Sequence, residues 1–237
     1  MESSLCFFEK RIRQDAGTGE TSGTDITQNM ELTTDNIKKR LKSTGPVVEN
    51  DFRHYAVLIP IVETDDGPGL LYEVRGQDLD RQPGEICFPG GEVEEGEDYA
   101  ECAIRETEEE IGVPSEHIEI LDELTTIYGV GRFAMHCFPA ILDPKAMDFI
   151  EINEEVDEVF TVSLKKLMDT ELELFHASVV QEGPEDFPYD RVTGEDSYPW
   201  SRMRSPVPVY DVGERVIWGL TGRATKVLLD VLEEASS

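Results

Sequence analysis

The chain has 237 residues, 39% of them hydrophobic, and sets 51 acidic against 21 basic side chains, a formal charge of −30. That length suits one domain with an extension, and the charge argues against partners that are nucleic acid or an anionic membrane surface. No apolar run approaches the ~18 residues of a membrane span, and four scattered cysteines without CxxC spacing, behind a start lacking a secretory signal's apolar stretch, point to a reducing, cytoplasmic compartment.

In chain order, DAGTGETSGTDITQ (15–28) is small and polar and reads as a flexible segment. A helix follows, opening near Thr34 or Asp35 and closing on the basic cluster Lys38, Lys39, Arg40 and Lys42, where cations suit the helix dipole. Gly45-Pro46 breaks it. Residues 1–46 therefore form an extension and 47–237 the main domain. YAVLIPIV (55–62) is a continuous apolar run fit for a buried strand. TDDGPG turns the chain, and GLLYEVRG (69–76) returns as its hairpin partner. A short strand lies between the turns at Pro83-Gly84 and Pro89-Gly90-Gly91.

Next comes an acidic helix. Asp98 is its N-cap, with Glu101 three residues on as in a capping box. Ala100, Ala103, Ile104, Thr107 and Ile111 form its packing stripe, and Gly112 then Pro114 end it. HIEILDELTTIY, FAMHCFPAIL and DEVFTVSL read as strands. Residues 169–200 read as irregular, VPVYDV and RVIWGL as late strands, and a last helix spans about 222–234. There is no internal repeat.

The acidic helix poses a chemical question. Glu106, Glu109 and Glu110 stand three and four residues apart, so they share one face, expected opposite the packing stripe. Like charges at these spacings repel by a few tenths of a kcal/mol per pair when exposed, and a divalent cation removes the penalty. Carboxylate oxygens suit Mg2+ or Mn2+, with water and phosphate completing the shell. Gly90-Gly91 permits a tight turn whose carbonyl could join them.

Gly91, Glu97 and the run Arg105-Glu106-Thr107-Glu108-Glu109-Glu110-Ile111-Gly112-Val113 match G-x5-E-x7-R-E-U-x-E-E-x-G-U, with U apolar. This resembles the Nudix box, one position apart: Thr107 stands where an aliphatic residue is usual. The resemblance implies a Nudix-type α/β/α sandwich with a mixed central sheet, and hydrolysis of diphosphate linkages with Mg2+ or Mn2+. Metal ligands would be Glu106, Glu110, Glu109 and Gly91. Arg105 would orient carboxylates such as Glu97, and the base would be Glu109 or a carboxylate from a later loop, Glu154, Glu155 or Glu158 among them.

Upstream, LLYEVRGQDLDRQPGEICFPGG (70–91) resembles the signature of the coenzyme A pyrophosphatase branch of that family, through Arg75, Gly84 and Phe88-Pro89-Gly90-Gly91. Glu73 replaces a threonine, Gly76 a Ser/Ala, and Asp80 an arginine, with Arg81 next to it. VIWGLTGRATKVLLDVL (216–232) is similar to the branch's closing strand and helix. The implied substrate is coenzyme A or a derivative, with Arg75 and Arg81 binding it and 3′,5′-ADP and 4′-phosphopantetheine as products. ADP-ribose or dinucleotide hydrolysis, or a Nudix module that binds without turnover, are the rival readings. The oligomeric state stays open, a homodimer included.

Among the remaining residues, the four histidines read as structural or surface residues, Cys87, Cys102 and Cys137 as small buried hydrophobes, and Trp218 as core. Arg132, Arg202 and Arg204 read as surface residues. The loop carrying Phe187, Tyr189, Tyr198 and Trp200 is a candidate cover for a bound nucleotide.

Overall fold

The computed structural model describes residues 33–44, 52–194 and 198–234. The polar segment 15–28 and the Gly45-Pro46 break lie outside them. The chain divides into two compact units, Met1–Glu49 and Asn50–Ser237. In the first, helix α1 (Thr34–Thr44) opens with the Thr33 hydroxyl accepting from the Asn36 N–H at 3.3 Å, with Asp35 in its first turn and Lys42 in its last, as the dipole favours.

The second unit is built on one mixed sheet. Strand β1 (Arg53–Thr64) forms an antiparallel hairpin with β2 (Gly67–Arg75). On its other side β1 lies parallel to β7 (Phe133–Leu142), Arg53 opposite Phe133 through Ile61 opposite Ile141. Strands β3 (Ile86–Cys87) and β8 (Val156–Ser163) pair with β2, and β4 (Gly90–Glu92) pairs with β1. β5 (Ile118–Ile120) and β6 (Thr125–Gly129) both pair with β7.

The apolar run in β1 is continuous because both of its faces are buried. Ala56, Leu58 and Val62 face helix α2 (Tyr99–Ile111), with its Cys102, Ala103 and Ile111. Val57 and Ile59 face helix α5 (Gly219–Glu234), with its Ala224, Leu228 and Leu229. One helix on each face makes the α/β/α sandwich. Tyr72 ties the layers: its hydroxyl meets the Thr225 hydroxyl at 3.1 Å in the core.

The stretch read as one strand from His117 to Tyr128 is two. Leu121 and Leu124 donate to the carbonyls of Pro139 and Cys137, but Pro139 has no N–H to return, and the pairing with β7 shifts register there. The displaced Glu123 accepts from His136 Nδ1 at 2.9 Å, and His136 Nε2 meets His54 Nδ1 at 3.0 Å. Two of the four histidines thus join in one structural chain.

After β8 a short helix α3 (Leu164–Asp169) leads into the region read as irregular. It holds strand β9 (Glu173–Val180) and the one-turn helix α4 (Tyr189–Val192), and β10 (Arg202–Asp211) follows it, taking in most of the expected late strand VPVYDV. With β11 (Val216–Trp218) these strands form a separate antiparallel sheet, β11-β10-β9. The final helix begins at Gly219, three residues earlier than its apolar stripe suggested.

Candidate active site

Three segments converge on one cleft of about 820 Å³: the β3–β4 turn, one face of α2, and the loop before β8. Gly90 has φ 154°, and a Cβ there would collide with the Ala56 carbonyl and with Val57. Only glycine lets the turn press this closely on β1. A Cβ on Gly91 would occupy the space that the Glu106 carboxylate fills. The two glycines therefore seat two box carboxylates: Glu106 lies against Gly91, and Glu110 Oε2 accepts the Gly90 N–H at 2.8 Å.

Helix α2 is capped by Asp98, whose Oδ1 accepts from the Ala100 N–H at 2.9 Å, and it ends at Gly112 with φ 74°. Its buried side is Cys102, Ala103, Thr107, Glu110 and Ile111. This corrects the expectation that the carboxylate face lies opposite the packing stripe: Glu110, 4% exposed, is part of that side. Thr107 packs inward where an aliphatic residue is usual, its hydroxyl donating to the Ala103 carbonyl at 2.7 Å. Ile104 is only half-buried.

Arg105 lies over the helix surface and forks onto Glu97, Nε to Oε1 at 2.8 Å and Nη2 to Oε2 at 3.1 Å. Its Nη1 donates to Glu106 at 2.8 Å and to Glu109 at 3.2 Å. The guanidinium bonds and a backbone bond from Glu94 hold the Glu97 carboxyl down to about 2. Glu109 is more than half exposed and stands outside the cleft wall, while Glu106 and Glu110 are within it.

Glu73, noted in sequence only as a replacement for the signature's threonine, lies buried behind the cleft beside Cys87. It is 1% exposed, its Oε1 accepts from the Cys87 thiol at 3.0 Å, and its Oε2 has no partner among the described residues. Burial pushes the carboxyls of Glu73 and Glu110 upward; Glu73 and Glu106 push Glu110 further, and Glu155 and Glu106 do the same to Glu73. Glu106 is raised too, by burial and by Glu109 and Glu155, against the pull of Arg105. A concentration of buried negative charge with an orphaned oxygen is costly without a cation, and an all-oxygen donor set suits a hard divalent one. Among the described residues, no three carboxylate, imidazole or thiol groups already surround one point as ligands. Glu106 is drawn to Arg105 and Glu110 to Gly90, so ligation would recruit them from those bonds. On these observations the residues fit Mg2+ or Mn2+.

Arg75 and Arg81 come together in the cleft wall, Arg75 Nε donating to the Arg81 carbonyl at 3.5 Å. Asp80, at the signature's arginine position, is exposed and outside the wall; Arg81 enters it instead. Of the three later carboxylates, Glu155 lines the cleft. Glu158 is held by Arg215 Nη2 at 2.6 Å, away from it, and Glu154 is not in its wall. The aromatic loop does not cover the cleft: Phe187, Tyr189, Tyr198 and Trp200 pack on one another, and Trp200 Nε1 donates to the Tyr189 hydroxyl at 3.1 Å.

Trp218, expected in the core, is 46% exposed and lines the cleft, while its neighbour Ile217 is fully buried. Period-two alternation in Val216-Ile217-Trp218 carried that signal. Arg53 and Tyr55 also line the cleft. Their positions at the start of an apolar run gave no chemical cue.

A model of the NUDIX domain matches residues 52–183. The mitochondrial coenzyme A diphosphatase NUDT8 of Mus musculus is 33% identical over 182 residues, 75% of this chain and 77% of that one. Nudix hydrolase 3 of Caenorhabditis elegans is 36% identical over 48% of each chain. An uncharacterized Nudix hydrolase, NudL, of Enterobacter sp. (strain 638) is 32% identical over 58% of this chain and 73% of that one. Among solved structures, a C. elegans Ap4A hydrolase binary complex is 23% identical with a TM-score of 0.41, covering 48% of this chain and 81% of that chain.

Proposed function

Since the chain belongs to the Nudix family and is a hydrolase of that family, we propose that its substrate is coenzyme A or a derivative, cleaved at the diphosphate into 3′,5′-ADP and 4′-phosphopantetheine or its acyl form. One observation carries the choice: Arg75 and Arg81, from the upstream signature, stand in the same cleft wall as the box carboxylates Glu106 and Glu110. The likeness to the mouse coenzyme A diphosphatase over three-quarters of both chains supports it.

In this reading Glu106 and Glu110, with the Gly91 carbonyl, would hold Mg2+ or Mn2+. Glu109, the third box carboxylate, stands outside the cleft wall and is tied to Arg105 at 3.2 Å. When bound there, such a cation would supply charge neutralisation on the diphosphate and Lewis acidity. The chain's own residues do the rest. Arg105 fixes Glu97, Glu106 and Glu109 in register through its forked bonds. Arg75 and Arg81 orient the anionic substrate. A Glu155 oxygen accepts the proton of the attacking water, chosen over Glu109 because it faces the cleft.

Incubation of the purified protein with coenzyme A, ADP-ribose and a diadenosine polyphosphate, each with Mg2+ or Mn2+, tests the reading by mass spectrometry of the products. Release of 3′,5′-ADP from coenzyme A is expected. Cleavage of the other two alone would leave a Nudix hydrolase of different specificity, and binding without turnover a non-catalytic module.

A reducing, cytoplasmic setting belongs to the same proposal and is supported by the free thiols of Cys87, Cys102 and Cys137. Imaging of the tagged protein tests it. Mitochondrial signal would overturn it, as the mouse relative's name makes a concrete alternative.

A further inference from the structure

Arg53, Tyr55 and Val57 are alternate residues of β1, so they present one face, and all three line the cleft. Val57 stands opposite Gly90 across the β1–β4 pair, at the end of the cleft where Glu110 is held. Arg53 is four residues back, roughly 13 Å along the strand. Arg81 enters the wall of the same cleft from the β2–β3 loop, alongside Arg53 and Tyr55 among its lining residues. Neither arginine makes an ion pair with another described residue, although the chain carries 51 acidic side chains. The carboxylates nearby are engaged, Glu92 by the Tyr55 hydroxyl at 3.2 Å and Glu85 by Gln82 Nε2 at 2.9 Å.

Two cations left without carboxylate partners in so acidic a molecule are a local positive potential aimed into the cleft. Apolar surface adjoins them. Phe133 stands edge-on to Tyr55 with ring centroids 6.1 Å apart, and the exposed Trp218 lines the same cleft, a flat surface on which a purine can stack. We propose that Arg53 and Arg81 form a second anion subsite, remote from the diphosphate, that takes a phosphomonoester on the nucleoside half of the substrate. The identity of that group as a ribose 3′-phosphate rests on the coenzyme A reading. The subsite makes Arg53 a specificity-determining residue, separating 3′-phosphorylated substrates from ADP-ribose and dinucleotides, which lack that group.

Isothermal titration calorimetry in magnesium buffer, with 3′,5′-ADP and with AMP as probes, tests this without turnover. The wild-type protein is expected to bind 3′,5′-ADP on the order of ten-fold or more tighter than AMP, the scale of hydrogen bonds to a charged group. Arg53→Ala and Arg81→Ala should each bring that ratio towards one. Arg204→Ala, outside the cleft, should keep it. A wild-type ratio near one, absence of binding included, would overturn the subsite, as would a ratio untouched by both variants. Coenzyme A turnover is assayed alongside. A 3′,5′-ADP preference that depends on Arg53 would uphold the subsite even if coenzyme A were not cleaved, and that second result would sink only the proposed reaction.

Discussion

Glu110 is buried beside another carboxylate, yet its position in the cleft suits it to bind a cation, and these two facts predict opposite responses to one substitution. Glu110→Gln keeps the shape and removes the ionisable carboxyl. Hydrolysis should fall at least about 100-fold, while the cation-free melting temperature holds or rises, because burial and Glu73 push that carboxyl up to about 9 and the amide carries no such cost. Glu106→Gln should cost a similar factor in rate. Steady-state kinetics and circular dichroism melts separate the effects; full activity in either variant would remove it from the metal assignment. Wild-type protein should melt higher with Mn2+ than with EDTA, and Glu110→Gln should lose most of that difference. Glu97 gives a pH signature. Its carboxyl is about 2 in the fold against an ordinary 4.5, so the unfolded chain binds the extra proton between those values. The Glu97–Arg105 contribution is then fully present above about pH 5 and lost as pH falls from 4.5 towards 2. Stability of wild type and Glu97→Gln should converge across that window in acid titrations, with a modest gap above it because Arg105 and Glu97 are partly solvated.

At the scale of elements, the β3–β4 turn is the piece whose shape everything else in the cleft depends on. Gly90→Ala would force a side chain into the positive-φ region and against the Ala56 carbonyl. A cost of about 1–3 kcal/mol for the strain alone is expected, with a larger loss in activity as Glu110 loses its seat; urea unfolding and kinetics measure the two. Leu228 on α5 is buried in the core and not part of the cleft lining, so Leu228→Ala should lower stability by about 2–5 kcal/mol with little change in KM. What the sequence made legible follows from burial. β1, β2 and β7 lie in the core, and their apolar runs announce them. The box helix announces itself by caps and period. β9 was missed because nearly all of its residues, Phe175 among them, are exposed, so its apolar residues fall in no in–out alternation, and the polar stretch that follows it made the whole region read as loop. Arg75, Arg81, Glu106 and Glu110 were legible as a cleft because motif spacing carries them there. Arg53 was not, since its placement depends on a pairing with a strand distant in the chain, opposite Phe133 on β7; Glu73 sits fully buried in an apolar strand next to the cleft's Cys87, and only the alternation around the buried Ile217 marked Trp218 as exposed.

For the molecule as a whole, a charge of −30 repels an anionic substrate at long range while the cleft arginines attract it at short range. Salt screens the first more than the second, with a Debye length of about 10 Å at 0.1 M. kcat/KM should therefore rise as ionic strength increases from near zero towards 0.1 M, and a steep fall would show that attraction already dominates at distance. The parallel pairing of β1 with β7 has a consequence of another kind. Their paired residues lie about 80 positions apart in the chain. On a ribosome adding about 5–20 residues per second, β1 emerges roughly 4 to 16 seconds before the partner for its second edge exists. Until then β2 guards one side of an apolar strand and the other stays open to any chain that can pair with it. Nascent chains halted before residue 133 should be captured by holdase chaperones or aggregate, and release of β7 should end that exposure.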